Sequence, residues 1–246
     1  MSAVAQLMAG MERTAPGSDA ATVRVLAVLE DLPSDAKILD VGAGTGAQSI
    51  VLATALPQAR ITALDISEGQ LAVLQRRAQE AGVAGRIATH TGPMHAMDFP
   101  AASFDAIWSE GAAYIMGLNN ALRKWKPMLK PRGFLVISEC TWLTVAPSPD
   151  AQDFWDEAYP AMQTLEQNLE LARDAGYEVL GTYVLPLEAW QHNYYEQLEP
   201  RVASALAQYE PSSREWKAVE RVRREIEIFR AHGNQYGYVF YALRAK

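Results

Sequence analysis

A glycine-rich turn that follows a run of apolar residues is the stretch of this sequence best suited to chemistry. Residues 37–46 are Lys-Ile-Leu-Asp-Val-Gly-Ala-Gly-Thr-Gly, and a helical pattern follows them. A strand that runs into such a turn brings backbone N–H groups and a helix N-terminus close to one point. Side chains in place of Gly42, Gly44 and Gly46 would keep a ligand away from that backbone. The spacing therefore predicts a cofactor-binding turn, which includes Ala43.

Two carboxylates bear on the kind of cofactor. A pyrophosphate would compete with Asp40 for the donors of the turn, whereas a cationic ammonium or sulfonium would be favoured by that carboxylate. Asp65 comes 19 residues after Gly46, at the end of a second apolar run, where it can accept hydrogen bonds from both hydroxyls of a ribose. That placement suits NAD and S-adenosylmethionine equally, and the turn also satisfies the nicotinamide fingerprint in its G/A form. The residues alone leave both cofactors open.

The elements that must position these residues alternate along the chain as strands and helices. Hydrophobic patterns predict seven strands, at residues 38–41, 60–64, 87–91, 104–108, 134–138, 177–185 and 236–243. Ser18 or Asp19 caps a helix that runs to about Leu32, and Ser67 caps another. Strand and helix alternate five times at βα spacing, which predicts an α/β fold with a doubly wound parallel sheet.

The pattern changes after residue 141. Residues 186–235 lack strand periodicity, and about 50 helical residues separate the last two predicted strands. We interpret them as a helical cap inserted between strands six and seven, joined by a second cap segment at about 147–165. The whole of 1–246 is then a single domain. On its last helix, Glu220 with Arg224 and Arg221 with Glu225 have the i,i+4 spacing of surface ion pairs.

Composition narrows the class of protein. The chain has 246 residues, a net charge of −7 and one cysteine, Cys140. The acidic balance disfavours nucleic acid as a partner, because such binders need a basic face. The lone cysteine suits a reducing compartment. No apolar run approaches the ~18 residues of a membrane span, and no secretory signal is predicted. We therefore expect a cytoplasmic protein that does not bind a membrane, with no metal site.

Four stretches in the right order resemble the successive motifs of class I S-adenosylmethionine-dependent methyltransferases. They are residues 38–46, 63–67, 104–108 and 129–134, and the resemblance covers roughly 15–140. The chain is most similar to the small-molecule methyltransferases of the ubiquinone/menaquinone-biosynthesis type. The resemblance implies a Rossmann-like sheet of seven strands, of which the last is antiparallel to the rest.

The resemblance also implies contacts with the cofactor, S-adenosylmethionine. The three glycines of the turn approach its methionine part, Asp40 its ammonium group, and Asp65, followed by Ile66, its ribose. The segment Gly17-Ser18 resembles the part that folds over the carboxylate of the cofactor.

The loop after the third strand is expected to hold the adenine. The expected residues are Gly92, Pro93, Met94 and His95. The family often has Asp where this chain has Pro93, which leaves the contact with the adenine amino group open to His95 or to Asp98.

Acceptor and catalytic residues are sought at the carboxyl edge of the sheet, where ligands of open α/β sheets bind. Ser109, Glu110 and Tyr114 follow the fourth strand there. A base is needed only if the acceptor must lose a proton, since the sulfonium methyl is already activated. Glu110 is the first candidate and His192 the second, because the pKa of histidine suits proton transfer near neutrality. At each of these positions, a packing role fits the sequence as well as a catalytic role does.

Two further features of the same edge and of the cap have no single interpretation. Glu139 and Trp142 leave the fifth strand at this edge. Aromatic residues suit either a flat apolar or cationic acceptor or the core of a cap; they are Trp142, Trp155, Tyr159, Trp190, Tyr194 and Tyr195.

The sequence supports three hypotheses about function. The leading hypothesis is methyl transfer from S-adenosylmethionine to a small-molecule acceptor, with a homodimer possible. The alternatives are an NAD(P)-dependent oxidoreductase on the same turn and a non-catalytic S-adenosylmethionine-binding protein.

Overall fold

The computed structural model describes residues 2–246 and places eight strands in one sheet. In chain order they are β1 (Lys37–Val41), β2 (Arg60–Asp65), β3 (Ile87–Thr91), β4 (Phe104–Glu110), β5 (Leu129–Trp142), β6 (Gln163–Thr164), β7 (Tyr177–Val184) and β8 (Tyr236–Ala245). Their order across the sheet is β3-β2-β1-β4-β5-β8-β7, and β6 pairs with the end of β5. Strands β1 and β4 are thus neighbours although two strands separate them in sequence, which makes their carboxyl ends the switch point where ligands bind in such sheets.

The direction of the strands agrees with the predicted topology. The pairs among β1 to β5 are parallel, whereas β8 runs antiparallel to both β5 and β7. The predicted reversal of the last strand is therefore confirmed.

Helices cover both faces of the sheet. The first five are α1 (Ala3–Leu7), α2 (Asp19–Leu26), α3 (Ala47–Ala55), α4 (Glu68–Glu80) and α5 (Leu118–Trp125), and they are followed by α6 (Pro149–Ala158) and α7 (Leu165–Asp174). Apolar residues of α2, α3 and α4 pack in one buried cluster, and those of α5 and α7 pack in another across the sheet. The doubly wound arrangement is confirmed.

Three more helices lie between β7 and β8. They are α8 (Leu187–Trp190), α9 (Glu196–Gln208) and α10 (Arg214–His232), and a π-helical turn at Gln191–Tyr195 joins the first two. We call this group, together with α6, the cap. Its interior is aromatic: the ring of Trp190 stacks on Phe229 with centroids 5.4 Å apart, and Trp155 meets Tyr236 edge-on at 5.0 Å. Much of the aromatic density of the sequence is therefore packing.

Short elements account for most differences from the predicted structure. The five-residue α1 and the two-residue β6 were not predicted, because neither is long enough to show a periodicity. Helix α2 ends at Leu26, earlier than the predicted Leu32. Strand β5 begins at Leu129, because the chain continues in the sheet through the Pro-Arg-Gly segment that was predicted to precede the strand.

Candidate functional site

A cavity of about 830 Å³ opens at the carboxyl ends of β1, β2 and β4. We call the wall near the glycine turn its turn side and the opposite wall its cap side. The turn side consists of Thr14, Ala15, Pro16, Gly42, Gly44, Leu64, Asp65, Ile66, Ser67, Gln70, Gly92, Pro93, Met94 and His95. The cap side consists of Gly111, Ala112, Tyr114, Ile115, Cys140, Trp155, Ala158, Tyr159, Trp190, Tyr194, Arg221, Val222, Glu225 and Tyr238. Glu110 also lines the cavity, and α1 with the residues that cap it contributes Ser2, Val4, Ala5 and Met8.

Two glycines of the turn shape the wall of the cavity. Gly42 and Gly44 have φ of 74° and 54°, a region that favours glycine. A Cβ on Gly42 would stand 2.4 Å from the Cβ of Ala112, so the segment after β4 packs against the β1 turn too closely to admit a side chain at this position. The cradle predicted from the spacing is present at these two positions.

Gly46 has a different reason to be glycine. Its φ is 84°, and a Cβ there would lie 2.3 Å from the Cγ of Leu74 on α4. It does not line the cavity, and Ala43 lines only a smaller pocket beside it. The predicted contact of Gly46 with a cofactor is replaced by close packing of the turn against α4.

Asp65 faces the cavity from the end of β2. One carboxylate oxygen accepts a hydrogen bond of 2.9 Å from the Gly44 N–H, and the other accepts one of 2.9 Å from the Ser67 N–H. These bonds fix the carboxylate at the wall. The side chain of Ile66 beside it is 74% exposed, which provides an apolar surface next to the carboxylate.

Asp40 does not reach the cavity. Its side chain is fully buried and accepts hydrogen bonds from Gln48 at 3.1 Å and from the hydroxyl of Ser49, both on α3. Burial raises its pKa to about 7. The prediction that Asp40 contacts the ammonium group directly is therefore corrected: it ties β1 to the start of α3.

The loop after β3 lies where it was predicted. Gly92, Pro93, Met94 and His95 all line the turn side, whereas Asp98 is exposed and does not. The carbonyl of Met94 accepts a hydrogen bond of 3.2 Å from the Trp125 indole, which holds the loop against α5. Of the two groups considered for an adenine amino contact, His95 is the one placed at the wall.

The N-terminal segment reaches the cavity slightly earlier in the chain than predicted. Thr14, Ala15 and Pro16 line it, whereas Gly17 and Ser18 do not. The hydroxyl of Ser18 caps α2 by accepting from the Ala21 N–H at 3.1 Å, and the Gly17 carbonyl accepts from Asn193 at 2.9 Å. These two residues fasten the segment instead of contacting a ligand.

Glu110 lines the cavity but has no free oxygen. One oxygen accepts hydrogen bonds from the Thr22 hydroxyl at 2.7 Å and the Trp108 indole at 2.8 Å. The other forms a buried ion pair with Arg13 at 3.2 Å. Burial raises the pKa of Glu110, and Arg13 opposes that rise. The predicted base is thus an anchor for the N-terminal segment.

The other residues predicted after β4 and in the cap divide between the cavity and its surroundings. Tyr114 lines the cavity, with its ring 5.9 Å from that of Tyr159. Ser109 is buried and donates to the Val41 carbonyl at 2.9 Å, so it joins strands. His192 is exposed and pairs with Glu196 at 2.8 Å on the outer surface. His192 does not line the cavity, and its role as a base stays a prediction.

Two other carboxylates lie on the cap side or close to it: Glu225 lines the cavity, whereas Glu139 does not. Glu139 on β5 is 2% exposed, and among residues 2–246 neither of its oxygens has a hydrogen-bond partner. Burial raises its pKa to about 7, and the nearby Tyr159 hydroxyl opposes that rise. Glu225 lines the cavity and accepts a hydrogen bond of 2.8 Å from the Tyr195 hydroxyl. The sequence pattern misplaced Glu225 because charged residues surround it on α10; Glu139, a lone acid in an apolar strand, was visible but had no assigned role.

Comparisons with known proteins agree with this geometry. Residues 38–133 match the family described as methyltransferase domain. The chain is 30% identical over 199 residues to the 27-O-demethylrifamycin SV methyltransferase of Amycolatopsis mediterranei, covering 80% of this chain and 65% of that protein. It is 32% identical over 109 residues to a ubiquinone/menaquinone biosynthesis C-methyltransferase of Paracoccus denitrificans, covering 44% of each. The chain thus spans less than two thirds of these curated relatives.

Solved structures share the whole fold. A methyltransferase from Geobacter sulfurreducens, solved with S-adenosyl-L-homocysteine, superposes with a TM-score of 0.81 at 20% identity and covers 100% of this chain and 99% of that one. One from Thiobacillus denitrificans, with the same ligand, gives a TM-score of 0.80 at 21% identity, with 98% and 96% covered. At 20% and 21% identity, the likeness to these structures shows that the fold is shared. Together with the domain match, it confirms the resemblance predicted from the four motifs.

Proposed function

The chain carries a methyltransferase domain and has the fold of S-adenosylmethionine-dependent methyltransferases, and from this premise we propose that it methylates a small-molecule acceptor held beneath the cap. The observation that carries the proposal is the single cavity of about 830 Å³, which joins the glycine turn to an aromatic cap. Its volume is within the range of small-molecule sites. Neither an NAD(P)-dependent oxidoreductase nor a cofactor sensor is favoured by the matches.

The residues of the turn side fit the cofactor. The bare backbone at Gly42 and Gly44 leaves room for its amino-acid portion, and the fixed carboxylate of Asp65 suits the ribose hydroxyls. Leu64, Ile66 and Met94 supply apolar walls of the kind that a flat base requires. When bound, S-adenosylmethionine supplies a methyl group already activated on a sulfonium. The protein then contributes chiefly alignment of the acceptor and exclusion of water.

The cap side suits an enclosed acceptor. On this proposal residues 1–246 form one domain, and the segments at about 147–165 and 186–235 select the acceptor. The net charge of −7 supports a small molecule over nucleic acid. None of the described helices has the length and apolar character needed to cross a membrane. A homodimer and a cytoplasmic location stay predictions.

Binding of S-adenosyl-L-homocysteine tests the proposal through Asp65→Asn. Calorimetry should show wild-type binding and an affinity about 30- to 150-fold lower in the variant, since about 2–3 kcal/mol of hydrogen bonding to a charged group is lost. Two variants serve as controls. Asp98→Asn makes the same change in a neighbouring loop, and His192→Ala changes a histidine that lies outside the cavity. Both variants should bind as the wild type does. Stabilisation by NAD(P) without stabilisation by S-adenosyl-L-homocysteine in a thermal-shift assay would refute the proposal.

A further inference from the structure

Two acids lie at or near the cap side, Glu225 in its wall and Glu139 next to Tyr159, and within the described part of the chain neither forms an ion pair; Arg221, which also lines this wall, acts on Glu225 only from beyond 4.0 Å. Among residues 2–246, no Lys, Arg or His nitrogen lies within 4.0 Å of a carboxylate oxygen of Glu139 or Glu225. The arginine spaced to pair with Glu225, Arg221, instead donates to the Glu157 carbonyl at 3.0 Å. Glu110, which also lines the cavity, differs because Arg13 pairs with it. A buried carboxylate without a partner is costly, and among the described residues Glu139 is one; Glu225 is half-buried and has a single hydrogen bond, from Tyr195. The position of both acids beside one cavity therefore needs an explanation.

Aromatic side chains line the same wall as Glu225. They are Trp155, Tyr159, Trp190, Tyr194 and Tyr238. The faces of such rings attract cations, most strongly where water is excluded. An ammonium group between these rings and Glu225 would supply a positive charge and donate an N–H to its carboxylate.

We propose that the cap side recognises a cationic amine, and that the acceptor of this methyltransferase is the nitrogen of that amine. This inference rests on the proposed function, since it names the acceptor class of the same site. Glu225 contacts the ammonium group directly from the wall. Glu139 adds its charge from behind Tyr159.

The carboxylate of Glu225 also frees the lone pair of the nitrogen by removing a proton from it. An ammonium cannot attack carbon until an N–H bond breaks, with the electron pair staying on nitrogen and the proton leaving. Glu225 receives that proton and becomes a neutral acid. The lone pair of the nitrogen would then form the N–C bond while the S–C bond of the sulfonium breaks, with its electron pair staying on sulfur, so that the neutral thioether S-adenosyl-L-homocysteine leaves. Burial raises the pKa of Glu225, which brings it closer to the range in which a carboxylate can accept a proton and later return it to water.

Charge on the cap side depends on pH through these two acids. Around Glu139 stand five groups from β5, β8 and the segments beside them, and burial raises the pKa of each: Tyr114, Tyr159, Cys140, Tyr238 and Tyr241. Around Glu225 stand groups whose pKa burial also raises, Tyr114, Cys140, Tyr194, Tyr195 and Tyr236, and the cation of Arg221. The tyrosines and the thiol stay neutral near pH 7, so the negative charge should grow as pH rises through the pKa of Glu139 at about 7.

A matched pair of probes tests the inference without knowledge of the natural acceptor. Choline carries a permanent positive charge, and 3,3-dimethyl-1-butanol has the same shape without it. With protein saturated by S-adenosyl-L-homocysteine, calorimetry at pH 8 should show choline binding at least about 10-fold more tightly. At pH 5.5 that preference should fall to about 3-fold or less, because neither probe titrates and Glu139, with a pKa of about 7, becomes protonated.

Variants assign the effect to its residues. Glu225→Gln keeps an acceptor for the Tyr195 hydroxyl, and it should weaken choline binding at pH 8 at least about 5-fold. Glu139→Gln should remove most of the pH dependence. Glu227→Gln, which removes a charge from the exposed face of the same helix, should change choline affinity less than about 2-fold.

The outcomes separate this inference from the proposed function. If the protein binds S-adenosyl-L-homocysteine but binds choline no better than the alcohol, or binds neither probe, the amine site is refuted and the methyltransferase proposal stands. An equal loss of choline affinity in Glu225→Gln and Glu227→Gln would also refute it. Failure to bind S-adenosyl-L-homocysteine would refute the proposed function itself.

Discussion

Replacing Glu139 by Gln should remove much of the pH dependence of the stability of this protein. The carboxyl is 2% exposed, has no hydrogen-bond partner among the described residues, and its pKa rises from 4.5 to about 7 through burial. The folded state therefore holds a proton on Glu139 at pH values where the unfolded chain has released it. A glutamine of the same shape cannot ionise, so the variant lacks this contribution to the pH dependence of stability.

The sign and size of the effect follow from proton linkage. Because the pKa is higher in the folded protein, the stabilisation is present at low pH and is lost as pH rises towards about 7. Between pH 5.5 and pH 8 the wild type should lose about 2 kcal/mol of unfolding free energy through Glu139. Asp40, whose pKa burial also raises to about 7, acts in the same direction. Its contribution is common to both proteins and cancels in their difference.

Urea unfolding at the two pH values measures the difference. The loss of stability from pH 5.5 to pH 8 should be about 2 kcal/mol smaller in Glu139→Gln than in the wild type. Glu227→Gln, an exposed acid, should show the wild-type pH dependence. The reasoning about Glu139 fails if all three proteins lose the same free energy over this range.

Two further variants test positions whose interpretation changed between sequence and structure. Glu110→Gln should destabilise the fold by about 2 kcal/mol in urea unfolding, because it removes the buried partner of Arg13 and leaves this arginine only its exposed partner, Asp19; adding Arg13→Met should recover part of the loss, and additive losses would contradict the coupling. Gly46→Ala should destabilise by about 2–4 kcal/mol, because φ is 84° and the new Cβ meets Leu74 at 2.3 Å. The folded Gly46→Ala protein should keep its affinity for S-adenosyl-L-homocysteine in calorimetry, and a selective loss of that affinity would return Gly46 to the cofactor site.

The fold was predictable because its signals are local. Apolar runs ending in glycine or aspartate mark β1 and β2, and serine caps mark the first residues of α2 and α4. Each of these signals depends on a few adjacent residues and on the local geometry of the backbone, and not on distant parts of the chain. The turn side was predictable for the same reason, since Gly42, Gly44 and Asp65 occupy fixed places relative to β1 and β2.

The role of each polar side chain was less predictable, because it depends on partners far away in sequence. Glu110 was expected to be free, but Arg13, 97 residues earlier, and Thr22 occupy its oxygens. Asp40 was expected at the cofactor, but Gln48 and Ser49 hold it within the fold. A carboxylate next to a glycine turn can serve a ligand or a helix, and composition does not distinguish the two uses.

In the cap, too, the sequence did not predict which polar side chains reach the cavity. His192 has the titration range of a base and lies at the surface, while Glu225 has the spacing of a surface ion pair and lines the cavity. The π-helical turn at Gln191–Tyr195 contributes to this arrangement, since one extra residue per turn rotates the side chains that follow and no sequence periodicity announces it. The turn places Tyr195 where its hydroxyl holds Glu225 at 2.8 Å. If the cap selects the acceptor as proposed, that selection depends on this local irregularity of the backbone, and substitutions within the turn should change acceptor preference before they change cofactor affinity.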